Sequence, residues 1–124
     1  MPVIVGVALG GAFGASARWL IDKFIEGHTE SVFPWATFAI NISGCLLIGV
    51  VIETLVDRHH LPAWVRVGLV VGVLGGYTTF STFAQETFSL LESNDVAVAL
   101  GYATASVVTG VLAVWAGTAL GRAF

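Results

Sequence analysis

The sequence contains few charged residues and a single cysteine, and these two scarcities exclude several classes of protein. Only 10% of its 124 residues are charged and 56% are hydrophobic, whereas soluble domains usually carry about 25% charged residues. The formal net charge of −3 is too small to indicate a nucleic-acid partner. The lone Cys45 excludes an intramolecular disulfide and any multi-cysteine metal site. We therefore predict a multi-pass integral membrane protein that binds no nucleic acid.

Charge is absent over long stretches of the chain. No acidic residue lies between Met1 and Ala17, and the stretches Ser31–Ile52 and Val96–Gly121 contain no charged residue. When the remaining charges are taken as boundaries, each of four apolar segments has the roughly 20 residues that a bilayer-spanning helix needs. The predicted helices cover residues 2–24, 31–52, 62–91 and 96–121. Because the loops are short, we expect one four-helix transmembrane domain over residues 1–124.

The third apolar segment contains the stretch that distinguishes this chain, Gly72 to Phe83, which reads Gly-Val-Leu-Gly-Gly-Tyr-Thr-Thr-Phe-Ser-Thr-Phe. Glycine costs about 1 kcal/mol relative to alanine inside a helix, and the adjacent Gly75-Gly76 favours a break. We therefore expect this helix to be broken near Gly75–Thr79. Non-helical backbone at bilayer depth is tolerated only where it is buried in protein or lines a cavity. The stretch indicates either an ion site within the membrane or a plain kink for close helix packing.

Two other helices carry polar residues on single faces. Thr37 and Asn41 are four residues apart on the second helix, as are Tyr102 and Ser106 on the fourth. A buried amide in hydrocarbon needs partners, and Asn41 can donate two hydrogen bonds and accept two. The pattern fits either a polar pathway or hydrogen bonds that join the helices.

Aromatic and polar residues alternate after the expected break. Phe80 and Phe83 share a helix face, and the edges of their rings carry partial positive charge. The residues between and after them include Ser81, Thr82 and Glu86, which are unusual on a lipid-facing surface. A carboxylate within a membrane span is a functional candidate, and solvation at the interface is the alternative for Glu86.

The first helix carries Gly6, Gly10, Gly14 and Arg18 at intervals of four residues. These positions lie on one face, and small residues at this spacing allow another helix to approach closely. Arg18 extends the face toward the aqueous end. It either places its charged group at the membrane surface or attracts anions at the mouth of a vestibule.

Lysine and arginine are nearly balanced between the two predicted sides of the membrane. The side with both termini has Arg58, Arg66 and Arg122, and the other side has Arg18 and Lys23. Without a strong positive-inside bias, the chain can insert in both orientations. We therefore predict an antiparallel, dual-topology homodimer. Backbone carbonyls from two adjacent breaks could hold one cation on its axis, because hard cations prefer oxygen ligands.

Three motifs resemble those of the Fluc (CrcB) fluoride channels, and the resemblance spans the whole chain. Gly10–Ala15 followed by Arg18-Trp19 is similar to the signature of the family's first helix. Thr37–Gly44 resembles its Thr-Leu-x-Val-Asn-x-x-Gly element. Gly75–Phe83 resembles its Gly-Gly-x-Thr-Thr-Phe-Ser-Thr-Phe run, which is the most specific of the three.

The chain departs from the family pattern at two positions. Ala36 stands where the family usually has glycine, which is a variation in packing. Gly110 stands where some members place a serine on the hydroxyl stripe of the fourth helix. The outer part of that stripe is therefore not assigned to the ion pathway.

The resemblance implies a passive, fluoride-selective channel in the bacterial inner (plasma) membrane that exports cytoplasmic fluoride. It implies an antiparallel homodimer with two pores and a structural sodium ion, held at the interface by backbone carbonyls of Gly75 and Thr78 from each copy. It also implies that Asn41, Phe80 and Phe83 contact fluoride. Further pore residues implied by similarity are Thr37, Ser81, Thr82, Tyr102 and Ser106. Arg18 and Glu86 are assigned to the vestibule from their own positions in the sequence.

Two alternatives remain open on the residues alone. A small multidrug-type proton antiporter also has four short helices and dual topology, but it needs a carboxylate in the first helix, and Met1–Ala17 has none. A membrane assembly subunit without transport would explain the glycine stripes but not the polar break. No enzyme is predicted, because no nucleophile–base pair or cluster of metal ligands is evident.

Overall fold

In the computed structural model, which describes all 124 residues, the chain folds into helices without any strand. Four helices are long and apolar enough to cross a membrane. They cover Val3–Glu26, Trp35–Val56, Ala63–Glu92 and Val96–Arg122. The all-helical architecture with four membrane-spanning segments, predicted from the sequence, is confirmed.

Within these spans, the first helix is α1, Val3–Glu26. Helix α2, Trp35–Val51, begins after Pro34 and not at Ser31 as expected. It continues as a π-helical turn, Ile52–Val56. The sequence placed Glu53 at the start of a loop, and this boundary is wrong. Glu53 is accommodated in the helix because its carboxylate pairs with Arg58 at 3.6 Å and with Arg122 at 3.5 Å.

The third membrane segment consists of several short helical pieces. It contains α3, Ala63–Val67, then a π-helical stretch, Gly68–Leu74, and then the single turn α4, Gly75–Tyr77. Helix α5, Phe80–Glu92, follows after Thr78 and Thr79. The last helix is α6, Val96–Arg122.

Helical dihedral angles end at Thr78 and not at the glycine pair. Gly75 has φ −64° and ψ −38°, whereas Thr78 has φ −87° and ψ 159° and Thr79 has φ −150° and ψ 125°. The extended residues thus lie within the expected range near Gly75–Thr79, at its end and not at the glycine pair. Gly76 instead allows close packing, since a Cβ there would lie 3.0 Å from the carbonyl oxygen of Gly11 on α1.

Helix α1 packs against the third segment, and α2 packs against α6. The buried glycines of α1 lie directly on backbone of the third segment. A Cβ at Gly10 would collide with the carbonyl oxygen of Gly68, and one at Gly14 with that of Val73. Gly49 of α2 is opposed in the same way by α6. The small-residue stripe of the first helix is thus a packing face.

Few side chains are fully buried within one copy of the chain. Tyr102 and Ile40 are the largest of them. Many large apolar residues are exposed on the outer helix surfaces, including Phe13, Val111 and Trp115. In a bilayer such side chains contact lipid or another membrane helix.

Candidate functional site

The extended residues of the third segment are held by a set of local hydrogen bonds. Asn41 Nδ2 donates to the Thr79 carbonyl at 2.9 Å, and Asn41 Oδ1 accepts from the Thr79 N–H at 2.9 Å. The Thr79 hydroxyl accepts from the Thr82 N–H at the start of α5. The N–H and hydroxyl of Thr78 both donate to the Leu74 carbonyl, at 3.0 and 2.9 Å. The backbone groups freed by the end of the helix therefore find partners within the chain.

These same bonds divert two N–H groups from their helical acceptors. In a continuous α-helix, the Thr79 N–H would donate to the Gly75 carbonyl and the Thr82 N–H to the Thr78 carbonyl. Here they donate to Asn41 Oδ1 and Thr79 Oγ1. The carbonyls of Gly75 and Thr78 consequently lack these partners. Carbonyl oxygens at an unwound helix are suitable ligands for Na⁺, so the donor chemistry of this pair fits the sodium site implied by the family resemblance.

An open cleft of about 360 Å³ lies beside this turn, between α2, α6 and the third segment. None of its 13 lining residues is charged. Its lining includes six of the predicted site residues: Asn41, Gly75, Thr78, Phe80, Phe83 and Ser106. The structure therefore brings together an amide, hydroxyls, carbonyls and aromatic rings in an uncharged environment. We call this space the uncharged cleft.

The two phenylalanines of the uncharged cleft have different surroundings. Their rings meet edge to face, with centroids 5.7 Å apart and an interplanar angle of 90°. Phe83 is half-buried and also packs edge to face on Tyr102, at 5.0 Å. Phe80 is 81% exposed in the single chain. Phe83 therefore packs within the chain and also lines the cleft. Most of the Phe80 ring is exposed on the outer surface of the single chain.

A second cleft of about 560 Å³ has a polar lining, and we call it the polar cleft. It contains the predicted residues Thr37, Thr82 and Glu86. The Thr37 hydroxyl donates to Glu86 Oε1 at 2.5 Å. Glu86 is half-buried, and its hydrogen bond joins α5 to α2. It is therefore not a freely solvated residue at the membrane surface.

Tyr102 is completely buried and lies next to the uncharged cleft without lining it. Its ring packs on Phe33 at 5.3 Å and on Phe83 at 5.0 Å. Its hydroxyl has no hydrogen-bond partner within the chain. Buried polar groups are normally paired, so this hydroxyl is an exception within the single chain.

Three predicted residues lie in neither cleft: Tyr102, Ser81 and Arg18. Ser81 is exposed on α5 and lines neither space. Arg18 is half-buried, and its Nε donates to the Gly76 carbonyl at 3.3 Å. The structure thus places Arg18 against the third segment. Its spacing of four residues from Gly14, on the packing face of α1, is the sequence signal for this contact.

Cys45 is not among the predicted site residues, but it lies in the lining of the uncharged cleft. Cys45 lies one helical turn beyond Asn41 on α2, so its spacing carried this information. A Cβ at Gly110 would lie 3.5 Å from the sulfur atom of Cys45, which is an ordinary contact. Position 110 therefore has room for a side-chain carbon, and steric crowding does not require glycine there.

Comparisons with known proteins agree with the motifs. A family model described as "CrcB-like protein, Camphor Resistance (CrcB)" matches residues 5–118. A protein of Pseudomonas fluorescens is 48% identical over 97% of both chains. One of Chloroflexus aurantiacus is 46% identical over 98% of this chain and 96% of the relative. One of Flavobacterium psychrophilum is 38% identical over 98% of both. All three are named fluoride-specific ion channel FluC. The family resemblance is therefore confirmed, and the chain belongs to the CrcB family.

Proposed function

We propose that the chain is a passive, fluoride-selective channel that exports cytoplasmic fluoride across the inner (plasma) membrane of a bacterium. The observation that carries this proposal is the uncharged cleft, in which Asn41, Phe80, Phe83 and Ser106 meet beside the extended turn. The names of the relatives support fluoride as the transported ion. The family is one of ion channels, so the chain is not an enzyme.

The lining of the uncharged cleft has the chemistry that fluoride conduction requires. Fluoride holds its hydration water tightly, so the loss of that water must be offset by hydrogen-bond donors or positive ring edges. Asn41 uses one Nδ2–H for the Thr79 carbonyl, which leaves its second N–H for an anion. A lysine or arginine in this space would hold fluoride too tightly for release. Weak, repeated donors suit conduction better.

The polar cleft and the buried hydroxyl extend the proposed pathway beyond the rings. Thr37 supplies a hydroxyl group in the polar cleft, Tyr102 one beside Phe83, and Ser106 one in the uncharged cleft. The polar cleft, with Thr82 and Glu86 in its lining, has the character of an aqueous vestibule. The ion would enter through this vestibule and exchange water for protein donors on its way inward.

We further propose that two copies assemble in the lipid bilayer as an antiparallel, dual-topology homodimer with two pores. In such a dimer, the exposed ring of Phe80 and the exposed Gly75 would face the partner. A sodium ion would be held by the Gly75 and Thr78 carbonyls of both copies, where it supplies a fixed positive charge that joins the two turns. The N–H groups of Thr79 and Thr82 donate to side chains and not to these two carbonyls. The carbonyl oxygens therefore remain free to bind a cation, which supports this assignment.

The proton-antiporter alternative is not supported by the family match or by the names of the relatives. Glu86, which lines the proposed vestibule, lies on α5 and accepts a hydrogen bond from Thr37. It is absent from the lining of the uncharged cleft.

Transport by the purified protein in liposomes tests the proposal. With the membrane potential clamped by potassium and valinomycin, we expect rapid fluoride efflux without an imposed proton gradient, and little chloride efflux. Liposomes without protein provide the baseline. Efflux that needs a proton gradient, or chloride efflux as fast as fluoride efflux, would contradict a passive fluoride-selective channel.

A further inference from the structure

The side chain of Arg18 ends on a backbone carbonyl beside the proposed sodium ligands. Its Nε donates to the carbonyl of Gly76 at 3.3 Å, across 58 residues of sequence. Gly76 lies between Gly75 and Thr78, whose carbonyls have lost their helical partners. A charged donor is therefore bound to one of the two carbonyls that lie between the proposed ligands in sequence.

Helix α1 also fixes this turn by direct backbone packing. A Cβ at Gly76 would lie 3.0 Å from the carbonyl oxygen of Gly11 and 3.2 Å from its Cα atom. A Cβ at Gly14 would lie 2.9 Å from the backbone nitrogen of Tyr77. Helix α4 is the last turn of the helical stretch that begins at Ala63, and it leads directly into the extended residues Thr78 and Thr79. These contacts with α1 fix where the helical stretch ends against its neighbour.

We propose that Arg18 is a positioning residue for the cation-binding carbonyls. By binding the Gly76 carbonyl, it holds the α4 turn in the orientation in which the Gly75 and Thr78 carbonyls remain free for sodium. The inference rests on the proposed function, which assigns those two carbonyls to a sodium ion. The guanidinium group suits this task because its charge is permanent and its donors are held in a rigid plane.

This role differs from attraction of fluoride by the positive charge of Arg18. Attraction depends on charge alone, so lysine at this position should preserve it. Positioning depends on a donor of fixed geometry that reaches the Gly76 carbonyl, which the flexible ammonium group of lysine does not reproduce. Arg18→Lys and Arg18→Gln together therefore separate the two roles.

The test measures how the dimer depends on sodium. Purified protein in detergent is freed of sodium, and the dimer fraction is followed by size-exclusion chromatography as NaCl replaces N-methylglucamine chloride at constant ionic strength. Both Arg18→Lys and Arg18→Gln are expected to raise the sodium concentration at half-maximal dimer by roughly tenfold, the effect of losing one hydrogen bond to a charged group. The control is Lys23→Gln on the same helix, since Lys23 is exposed and interacts with Glu26 and the ring of Trp19 on α1, away from the third segment. It is expected to leave the midpoint unchanged.

The thermal unfolding of each variant without sodium completes the experiment. We expect at most the small decrease in unfolding temperature that the loss of one part-buried hydrogen bond produces, and a similar decrease in both variants. An unchanged sodium midpoint in both variants, a wild-type midpoint in Arg18→Lys, or a dimer lost at every sodium concentration in both would overturn the role given to Arg18. A wild-type dimer that forms equally well without sodium would overturn the sodium site itself, whereas fluoride efflux from liposomes tests the channel separately.

Discussion

Asn41 and Thr79 are joined by two hydrogen bonds, each 2.9 Å long. The side-chain amide of Asn41 donates to the Thr79 carbonyl and accepts from the Thr79 N–H. The amide thus replaces the two helical partners that Thr79 would have had. It ties α2 to the point at which the third segment leaves helical geometry. Asn41 consequently has two roles in the proposed channel, as a support for the turn and as a donor in the uncharged cleft.

The first prediction concerns Asn41→Asp. An ionised aspartate can accept from the Thr79 N–H but cannot donate to its carbonyl, and it places a negative charge where like charges repel strongly. We expect fluoride efflux from liposomes to fall close to the protein-free baseline while the dimer persists. Ser43→Ala on the same helix is the control, since Ser43 lines neither cleft and bonds to Ile40 and Tyr77. Near-normal efflux in Asn41→Asp would assign Asn41 to packing alone.

The second prediction compares two adjacent glycines of α1. In Gly10→Ala the new methyl group would collide with the Gly68 carbonyl, and overpacking of this kind typically costs about 1–3 kcal/mol. In Gly11→Ala it meets nothing within 4 Å, and alanine is the better helix former by about 1 kcal/mol. Equilibrium unfolding in detergent should therefore show a destabilised Gly10→Ala and an undiminished Gly11→Ala. Equal stabilities would mean that α1 does not pack on the third segment as described.

The positions of the membrane helices could be predicted from the sequence because charge-free apolar stretches of about 20 residues are typical of bilayer-spanning helices. The packing face of α1 could be predicted too, since Gly6, Gly10 and Gly14 recur with the helical period. The end of α2 could not, because it required knowing that Glu53 is paired with Arg122 from the end of the chain.

The site was predictable as a set of residue types but not as an arrangement. The polar residues of the third segment were evident, yet local propensity favoured Gly75-Gly76 as the point where helical geometry ends. Tertiary contacts decide otherwise, since Gly11 packs on Gly76 and Asn41 supplies partners for Thr79. Such contacts join residues far apart in sequence, so periodicity within one helix does not reveal them.

The third prediction concerns Tyr102→Phe. The hydroxyl of Tyr102 is buried without a partner, so its removal should leave the folded state equally stable or slightly more stable. If the hydroxyl contacts fluoride, efflux should nevertheless fall. Tyr77→Phe is the comparison for stability, because it loses a 2.9 Å bond to Ser43 and should cost about 0.5–1.5 kcal/mol. Unchanged efflux in Tyr102→Phe would remove this hydroxyl from the pathway.

The fourth prediction concerns orientation in the membrane. With Arg58, Arg66 and Arg122 on one side and Arg18 and Lys23 on the other, a tag at the C-terminus should be accessible from both faces in a homogeneous preparation. Protease cleavage of the tag in sealed vesicles, before and after permeabilisation, measures this. Cleavage of all the protein, or of none, before permeabilisation would contradict dual topology.

The last prediction compares Phe80→Leu and Phe83→Leu, because there a packing role and an ion-lining role differ most. Leucine keeps apolar bulk but removes the positive ring edge, so ion coordination predicts lost fluoride efflux from a stable dimer. Phe83 packs on Tyr102 whereas Phe80 is 81% exposed in the single chain, so any loss of stability within one copy should be larger for Phe83→Leu. Phe88→Leu on the same helix is the matched control, since Phe88 is 60% exposed and lines neither cleft. Efflux and dimer stability are measured on the same preparations, and losses that run in parallel would assign both rings to the core.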